Sequence, residues 1–157
     1  MRVQELRRDR LLTLLAVAGS VVVLDLVTKA WAARSLVGRT VEVIPVLLSF
    51  GFTENYGAAF SFLQGAGTFL ALAALFALGV IVVSLWSPRP LGEVVGLSLI
   101  AGGAAGNLID RLARGDGLFD GPVIDWIMLP NFPVFNLADT SITFGVVVLL
   151  VVAWRSR

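Results

Sequence analysis

The sequence contains no cysteine and no histidine. Their absence excludes a disulfide framework, a thiol nucleophile, a zinc site built on Cys or His, and a catalytic Ser–His or Cys–His pair. Charge is also scarce, with 12 Lys and Arg and 11 Asp and Glu among 157 residues and a net charge of +1. This balance indicates no nucleic-acid partner. Any chemistry must use carboxylates, hydroxyls, amides, Lys or Arg, and we expect no cofactor and no metal.

Apolar residues are abundant and make up 57% of the chain. A soluble domain averages roughly 45–50% apolar residues. Because one membrane span takes about 20 residues, four spans would absorb most of the apolar residues present here. We therefore predict an all-α membrane protein, with residues 1–157 forming a single integral membrane domain. The predicted spans are about residues 11–33, 68–86, 91–109 and 137–154, and the long connections are residues 34–67 and 110–136.

The first and third spans carry unusual residues. The uncharged part of the first span, residues 11–24, is too short to cross a bilayer, so the span must include Asp25 and Lys29. In the third span, small residues recur at a spacing that lets a neighbouring helix approach closely. They form two Gly-x-x-x-Gly pairs, Gly92 with Gly96 and Gly102 with Gly106.

The placement of arginine predicts the orientation. Arginines precede the first span, occupy the short loop between the second and third spans, and follow the fourth. By the positive-inside rule, both termini and that short loop are expected in the cytoplasm, and the two long connections outside. The alternative for the N-terminus is a cleavable signal peptide that ends near Ala30-Trp31-Ala32.

The first long connection contains two short β-prone pieces, residues 40–44 and 49–53, around Pro45. They predict a small β-sheet at the outer face of the membrane. Aromatic side chains in this connection predict that the sheet rests on the membrane surface. These aromatic residues are Phe50, Phe52, Tyr56, Phe60 and Phe62.

With this topology, four aspartates from separate segments are expected at one level, near the outer membrane surface. They are Asp25, Asp110, Asp125 and Asp139. Asp25 and Lys29 are four residues apart on one helix, and we interpret them as a structural ion pair. Asp110 and Arg111 are interpreted as a cap of the third span that also ties down the outer loop.

Asp125 and Asp139 are the candidate catalytic residues. Asp125 is flanked by Val, Ile and Trp, so burial would raise its pKa, whereas Asp139 lies in the first turn of a helix, where the ionised form is favoured. Two carboxyls in different environments can divide acid and base roles around one water molecule. From these residues alone, a helix cap at Asp139 and an exposed loop position for Asp125 stay open as alternatives.

Five sequence blocks occur in order along the predicted spans and loops. They are Asp25-Leu26-Val27-Thr28-Lys29, Asn55-Tyr56-Gly57-Ala58-Ala59-Phe60-Ser61, Gly102-Gly103-Ala104-Ala105-Gly106-Asn107-Leu108-Ile109-Asp110-Arg111, Val123-Ile124-Asp125-Trp126, and Phe132-Pro133-Val134-Phe135-Asn136-Leu137-Ala138-Asp139. Together they cover nearly the whole chain and resemble signal peptidase II, the bacterial lipoprotein signal peptidase family.

The resemblance implies a four-span aspartic endopeptidase of the bacterial cytoplasmic membrane. It implies cleavage of prolipoprotein signal peptides just before a diacylglyceryl-modified Cys, by the pair Asp125 and Asp139. Site-supporting roles follow by the same resemblance, with Asn136 beside the pair. The supporting residues are Asn55, Gly57, Asn107, Asp110, Arg111 and Asn136. The expected partners are the lipid-modified prolipoprotein and membrane lipid, with no nucleic acid, and the protein is expected to be a monomer.

The chain departs from the family pattern in two places. The segment between Arg111 and Val123 is longer and richer in Gly and Asp than is usual, and Trp126 stands where Phe is commoner. If the longer segment shifts the alignment, Asp120 is the fallback for Asp125. The lipid chains of the substrate are expected to stay in the membrane lipid or in a groove between spans that is lined by small residues of the third span.

Two functions of other classes compete with the peptidase. One is a small proton- or ion-coupled carrier, because Asp inside spans also marks proton relays. The other is a non-enzymatic membrane subunit whose Gly-x-x-x-Gly faces bind partner helices. Loss of cleavage in Asp125→Asn and Asp139→Asn variants distinguishes the peptidase from both.

Overall fold

The computed structural model describes residues 2–57 and 67–156. Its four helices are α1 (Arg2–Ser35), α2 (Gly67–Ser84), α3 (Leu91–Ala113) and α4 (Leu137–Arg155). Each contains an apolar segment long enough to cross a membrane. The predicted class, four membrane helices with a small sheet, is confirmed. Phe60, Phe62 and the Ala58–Ser61 part of the second block lie outside the described residues.

Two helices extend past the predicted spans. α1 reaches Ser35, and α3 continues one turn beyond residue 109 to Ala113. The added turn of α3 is closed by the backbone N–H of Arg114, which donates to the carbonyl of Asp110. The Arg114 Nε also donates to the Asp110 carboxylate, at 2.6 Å. Asp110 and Arg111 are therefore helical residues and not the first residues of the loop.

Helix α3 is the centre of the bundle and packs against α1, α2 and α4. Its glycines make this possible. A Cβ on Gly102 would lie 2.9 Å from the carbonyl oxygen of Ala18 in α1, and one on Gly96 would lie 3.1 Å from that of Gly145 in α4. Because α1 and α4 cover Gly102 and Gly96, these two glycines are packing positions of the bundle. The expected groove for lipid chains beside other small residues of α3 stays a prediction.

A three-stranded antiparallel sheet covers one end of the bundle. Its strands are β1 (Val41–Ile44), β2 (Leu48–Asn55) and β3 (Val123–Met128), in the order β1-β2-β3. The hairpin around Pro45 was predicted, but β3 was not. Its pairing with β2 joins the two long connections and places Asp125 opposite Thr53.

Apolar side chains fix the sheet to the end of α1. Ala32 of α1 and Leu36, just past the end of α1, are buried against Ile124 and Trp126 of β3. Trp126 also meets the rings of Trp31 and Phe50 edge-on, with centroid distances of 5.4 and 5.0 Å. This geometry is favourable for aromatic pairs. The sheet is therefore held in one position relative to the helices. Asp125, which lies between Ile124 and Trp126, is held with it.

Candidate active site

A cavity of about 740 Å³ lies among α2, α3, α4 and the sheet. Its walls are mainly apolar and include Leu70, Ala74 and Phe135. The charged and amide side chains among its lining residues are Asn55, Asn107, Arg111, Asp125 and Asp139. In residues 2–57 and 67–156, no group of three or more Asp or Glu side chains is placed to hold a metal ion.

Asp125 is buried, with 2% of its surface exposed. Its Oδ2 accepts a hydrogen bond from Asn55 Nδ2 at 2.9 Å, and its Oδ1 accepts one from Asn136 Nδ2 at 2.7 Å. Burial, followed by the nearby charge of Asp139, raises the pKa of Asp125 to about 7. The two amide donors act in the opposite direction because they stabilise the ionised form.

Asp139 lies in the first turn of α4 and belongs to a capping box with Asn136. The Asn136 Oδ1 accepts from the backbone N–H of Asp139 at 2.9 Å, and Asp139 Oδ2 accepts from the backbone N–H of Asn136 at 3.2 Å. The other carboxylate oxygen, Oδ1, accepts from Asn107 Nδ2 at 2.8 Å. Asp139 is thus both a helix-capping residue and a wall of the cavity.

Within residues 2–57 and 67–156, each carboxylate oxygen of Asp125 and Asp139 therefore receives one N–H bond, and three of the four donors are asparagine amides. Every one of these amides is oriented by another group. Asn55 Oδ1 accepts from the backbone N–H of Gly57 at 2.9 Å, which leaves its N–H₂ for Asp125. Asn136 is oriented by the capping box and Asn107 by Lys29. The acids thus face donors that are already in place.

Lys29 is fully buried and contacts more than the predicted partner. Its Nζ lies 2.7 Å from Asp25 Oδ2 and 2.9 Å from Asp110 Oδ2, so the predicted pair is one half of a bridge between α1 and α3. Asp25 also accepts from the backbone N–H of Ala138 at 3.0 Å, which ties α1 to the start of α4. Sequence spacing could give only the i,i+4 contact, because the others join residues distant in the chain.

Asp110 and Arg111 bind different segments of the two long connections. The Asp110 Oδ2 accepts from the backbone N–H of Ile124 at 3.2 Å, which fixes β3 beside α3. The Arg111 Nη2 donates to the carbonyl of Gly57 at 2.8 Å, which fixes the end of β2 over the cavity. Asp120, the fallback candidate, instead accepts from the backbone N–H of Gly117 and does not line the cavity.

Solved structures place this fold among bacterial membrane enzymes. One, described as a bacterial membrane enzyme at 2.3 Å resolution, is 33% identical, covers 91% of this chain and 88% of its own, and has a TM-score of 0.81. A second, at 1.9 Å resolution, is 34% identical, covers 90% and 92%, and has a TM-score of 0.78.

Sequence comparison identifies the family. The family model of signal peptidase (SPase) II matches residues 17–155. A lipoprotein signal peptidase of Mycobacterium avium is 40% identical over 148 residues, which are 92% of this chain and 80% of that protein. One from Rhodococcus jostii is 38% identical over 152 residues, 94% and 75% respectively. The chain belongs to the signal peptidase II family, so it is a multi-pass bacterial membrane peptidase, and the predicted resemblance is confirmed.

Proposed function

We propose that this protein is an aspartic endopeptidase that removes the signal peptide from diacylglyceryl-modified prolipoproteins, cutting just before the lipidated Cys. Asp125 and Asp139 are the catalytic pair. The observation that carries the proposal is that both carboxyls line one cavity and are joined through a single residue, Asn136, which donates to each of them. The names of the relatives support the substrate class.

The pair supplies an acid and a base for hydrolysis. Asp125, with a pKa of about 7, is the protonated partner below that pH, and its O–H polarises the scissile carbonyl. Ionised Asp139 takes a proton from water as the water oxygen bonds to the carbonyl carbon. The C–N bond then breaks and the leaving amine takes that proton. The products are a carboxyl end on the signal peptide and a free amine on the lipidated Cys.

The surrounding polar residues keep this pair in place. Asn55, Asn107 and Asn136 donate to the carboxylates, while Arg111 holds the carbonyl of Gly57 and Asp110 holds the backbone of β3. These six residues support the site, and the Asp25–Lys29 ion pair supports the bundle. Because other groups fix these donors, the two carboxyls are held in place before the substrate arrives.

The apolar part of the cavity suits a signal peptide. Its walls come from Leu70, Ala74 and Ala77 of α2 and from Thr143 and Phe144 of α4. Both helices pack on α3, so an apolar substrate segment that lies between them would reach Asp125 and Asp139 without leaving the membrane. Ala104 is the small residue of α3 that lines this route.

The protein works as a monomer and a single domain of the cytoplasmic membrane, with both termini in the cytoplasm and the active site near the outer face. Arginine near both termini and in the α2–α3 loop supports this orientation. Exposed apolar side chains of the β1–β2 hairpin, such as Val46 at 87% and Leu47 at 57% exposure, support contact of the sheet with the membrane surface. Membrane lipid is therefore a partner.

The experiment is cleavage of a purified prolipoprotein in detergent, with and without the diacylglyceryl group, followed by mass spectrometry of the products. The expected result is one cut before the lipidated Cys and little cleavage of the unmodified substrate. A cut elsewhere, or equal cleavage of both substrates, would contradict the proposed specificity. If the protein bound partner helices instead, Gly102→Ile and Gly106→Ile would abolish function while the Asp variants kept it.

A further inference from the structure

Lys29 has a third contact that an ion pair does not require. Besides Asp25 and Asp110, its Nζ donates to Asn107 Oδ1 at 2.9 Å, and the side chain has no exposed surface. The two carboxylates already neutralise its charge, so the bond to the amide has a separate consequence. Through this bond, Lys29 of α1 contacts Asn107, which in turn donates to Asp139.

This contact decides which way the Asn107 amide points. An ammonium group has three donors and no acceptor, so the atom that faces Lys29 must be the amide oxygen. The amide nitrogen then faces Asp139 Oδ1, at 2.8 Å. The reversed amide would place N–H₂ against an ammonium and oxygen against a carboxylate. Asn136 Nδ2, which donates to the same Asn107 oxygen at 3.1 Å, favours the observed direction as well.

Lys29 itself does not touch the cavity. Asn107 and Asp139 are among the lining residues, whereas Lys29 lies behind them and is closed off by Asp25 and Asp110. Any effect of Lys29 on the reaction must therefore pass through a neighbour. Asp25 and Asp110 hold the backbone next to the acids, at Ala138 and Ile124, whereas Asn107 hydrogen-bonds to a candidate catalytic carboxylate itself.

We propose that Lys29 is a positioning residue for the cleavage reaction: it holds the Asn107 amide with its N–H toward Asp139, so that this carboxylate keeps its donor during turnover. This rests on the proposed function. Because Lys29 lies outside the substrate cavity, its loss lowers kcat and leaves KM nearly unchanged.

The experiment uses two variants of matched charge and similar length. Asp25→Asn with Lys29→Met removes the amine but leaves the net charge of the Asp25, Lys29 and Asp110 cluster unchanged. Asp25→Asn with Lys29→Gln has the same charge but keeps an N–H donor for Asn107. Each is made with and without Asn107→Ala. The measurements are kcat and KM for a lipid-modified prolipoprotein in detergent, and the midpoint of thermal unfolding.

With Asn107 present, the Met variant is expected to lose about 10- to 100-fold in kcat, the range for a hydrogen bond that serves a charged group. KM is expected to stay within about 2-fold. The Gln variant should recover part of the lost kcat. In the Asn107→Ala background, the Met change should lower kcat by less than about a further 2-fold, because the contact between Lys29 and Asn107 is already absent. The unfolding midpoint shows whether each variant folds.

Equal kcat in the Met and Gln variants would overturn the proposal. So would a loss of kcat from the Met change that is as large in the Asn107→Ala background as with Asn107 present. Failure of both double variants to fold, when Asp25→Asn alone folds, would also overturn it, since Lys29 would then be required by the fold alone. If Asn107→Ala leaves too little activity to measure, the comparison of Met with Gln decides. Full activity of Asp125→Asn and Asp139→Asn in the same assay would instead refute the proposed function.

Discussion

Asn136 donates its side-chain N–H to Asp125 over 2.7 Å, from a position fixed by the first turn of α4. Its Oδ1 accepts the backbone N–H of Asp139 and its own backbone N–H donates to the Asp139 carboxylate. One helix cap thus sets the relative placement of the two candidate acids, although they come from a strand and a helix.

The first prediction concerns the pH dependence of cleavage. The raised pKa of Asp125, about 7, means that its proton is lost as pH rises through this value, so kcat/KM is expected to fall above about pH 7. Asn55 donates to this carboxyl and favours its ionised form. Asn55→Ala should therefore move the alkaline limb to higher pH. A limb that stays in place or moves to lower pH would contradict the assignment of Asp125 as the acid.

The second prediction concerns stability. A carboxyl whose folded pKa is about 7, against an ordinary 3.8, keeps a proton that the unfolded chain releases, so wild-type stability falls as pH rises between these values. Asp125→Asn has no such proton. The free energy of unfolding of this variant, measured relative to that of wild type, should therefore increase by on the order of 2–4 kcal/mol from pH 4 to pH 8. Thermal unfolding in detergent checks this, and Asp116→Asn, in an exposed loop, should show no comparable gain.

The third prediction concerns Trp126, beside Asp125. In the part of the chain that the structure describes, its buried Nε1 has no hydrogen-bond partner. Trp126→Phe keeps a ring against Trp31 and Phe50 and removes this unpaired N–H. It should therefore lower the free energy of unfolding by less than about 1.5 kcal/mol and leave the cleavage rate near that of wild type. Trp126→Ala should cost about 3–5 kcal/mol. Equal losses of stability in the two variants would show that ring contacts do not hold the sheet.

The fourth prediction concerns the contact of α3 with α4. A Cβ on Gly103 would clash with the carbonyl oxygen of Ala138, next to Asp139, whereas one on Gly79 in α2 meets nothing within 4 Å. Gly103→Ala should destabilise the protein by about 1–3 kcal/mol and reduce cleavage. Gly79→Ala should be neutral or stabilising by up to about 1 kcal/mol. Unfolding midpoints and cleavage rates of the pair check this, and similar values would contradict close helix packing at the site.

The sequence was sufficient for the helices because charges and prolines bound apolar runs of the right length. It was insufficient for β3, where Asp125 interrupts the apolar run and the partner strand lies some 70 residues earlier, so that no local periodicity marked the pairing. As a result, the contact of Asp125 with Asn55 could not be derived from spacing.

The candidate acids could be proposed from residue types, but their surroundings could not. An Asn before a helix is usually a cap, and Asn136 is one. Only the fold brings that cap against Asp125. The same holds for Lys29, whose i,i+4 partner is visible in the sequence, whereas its bonds to Asp110 and Asn107 depend on how α1 crosses α3.

The most direct test of the account is the cleavage rate of Asp125→Asn and Asp139→Asn, each purified in detergent and assayed by gel shift with a lipid-modified prolipoprotein. Each variant is expected to fold, as judged by thermal unfolding, and to lose at least about 1,000-fold in rate, because neither acid can take the other's role. Cleavage at the wild-type rate by either folded variant would contradict the claim that these two carboxyls act as a pair.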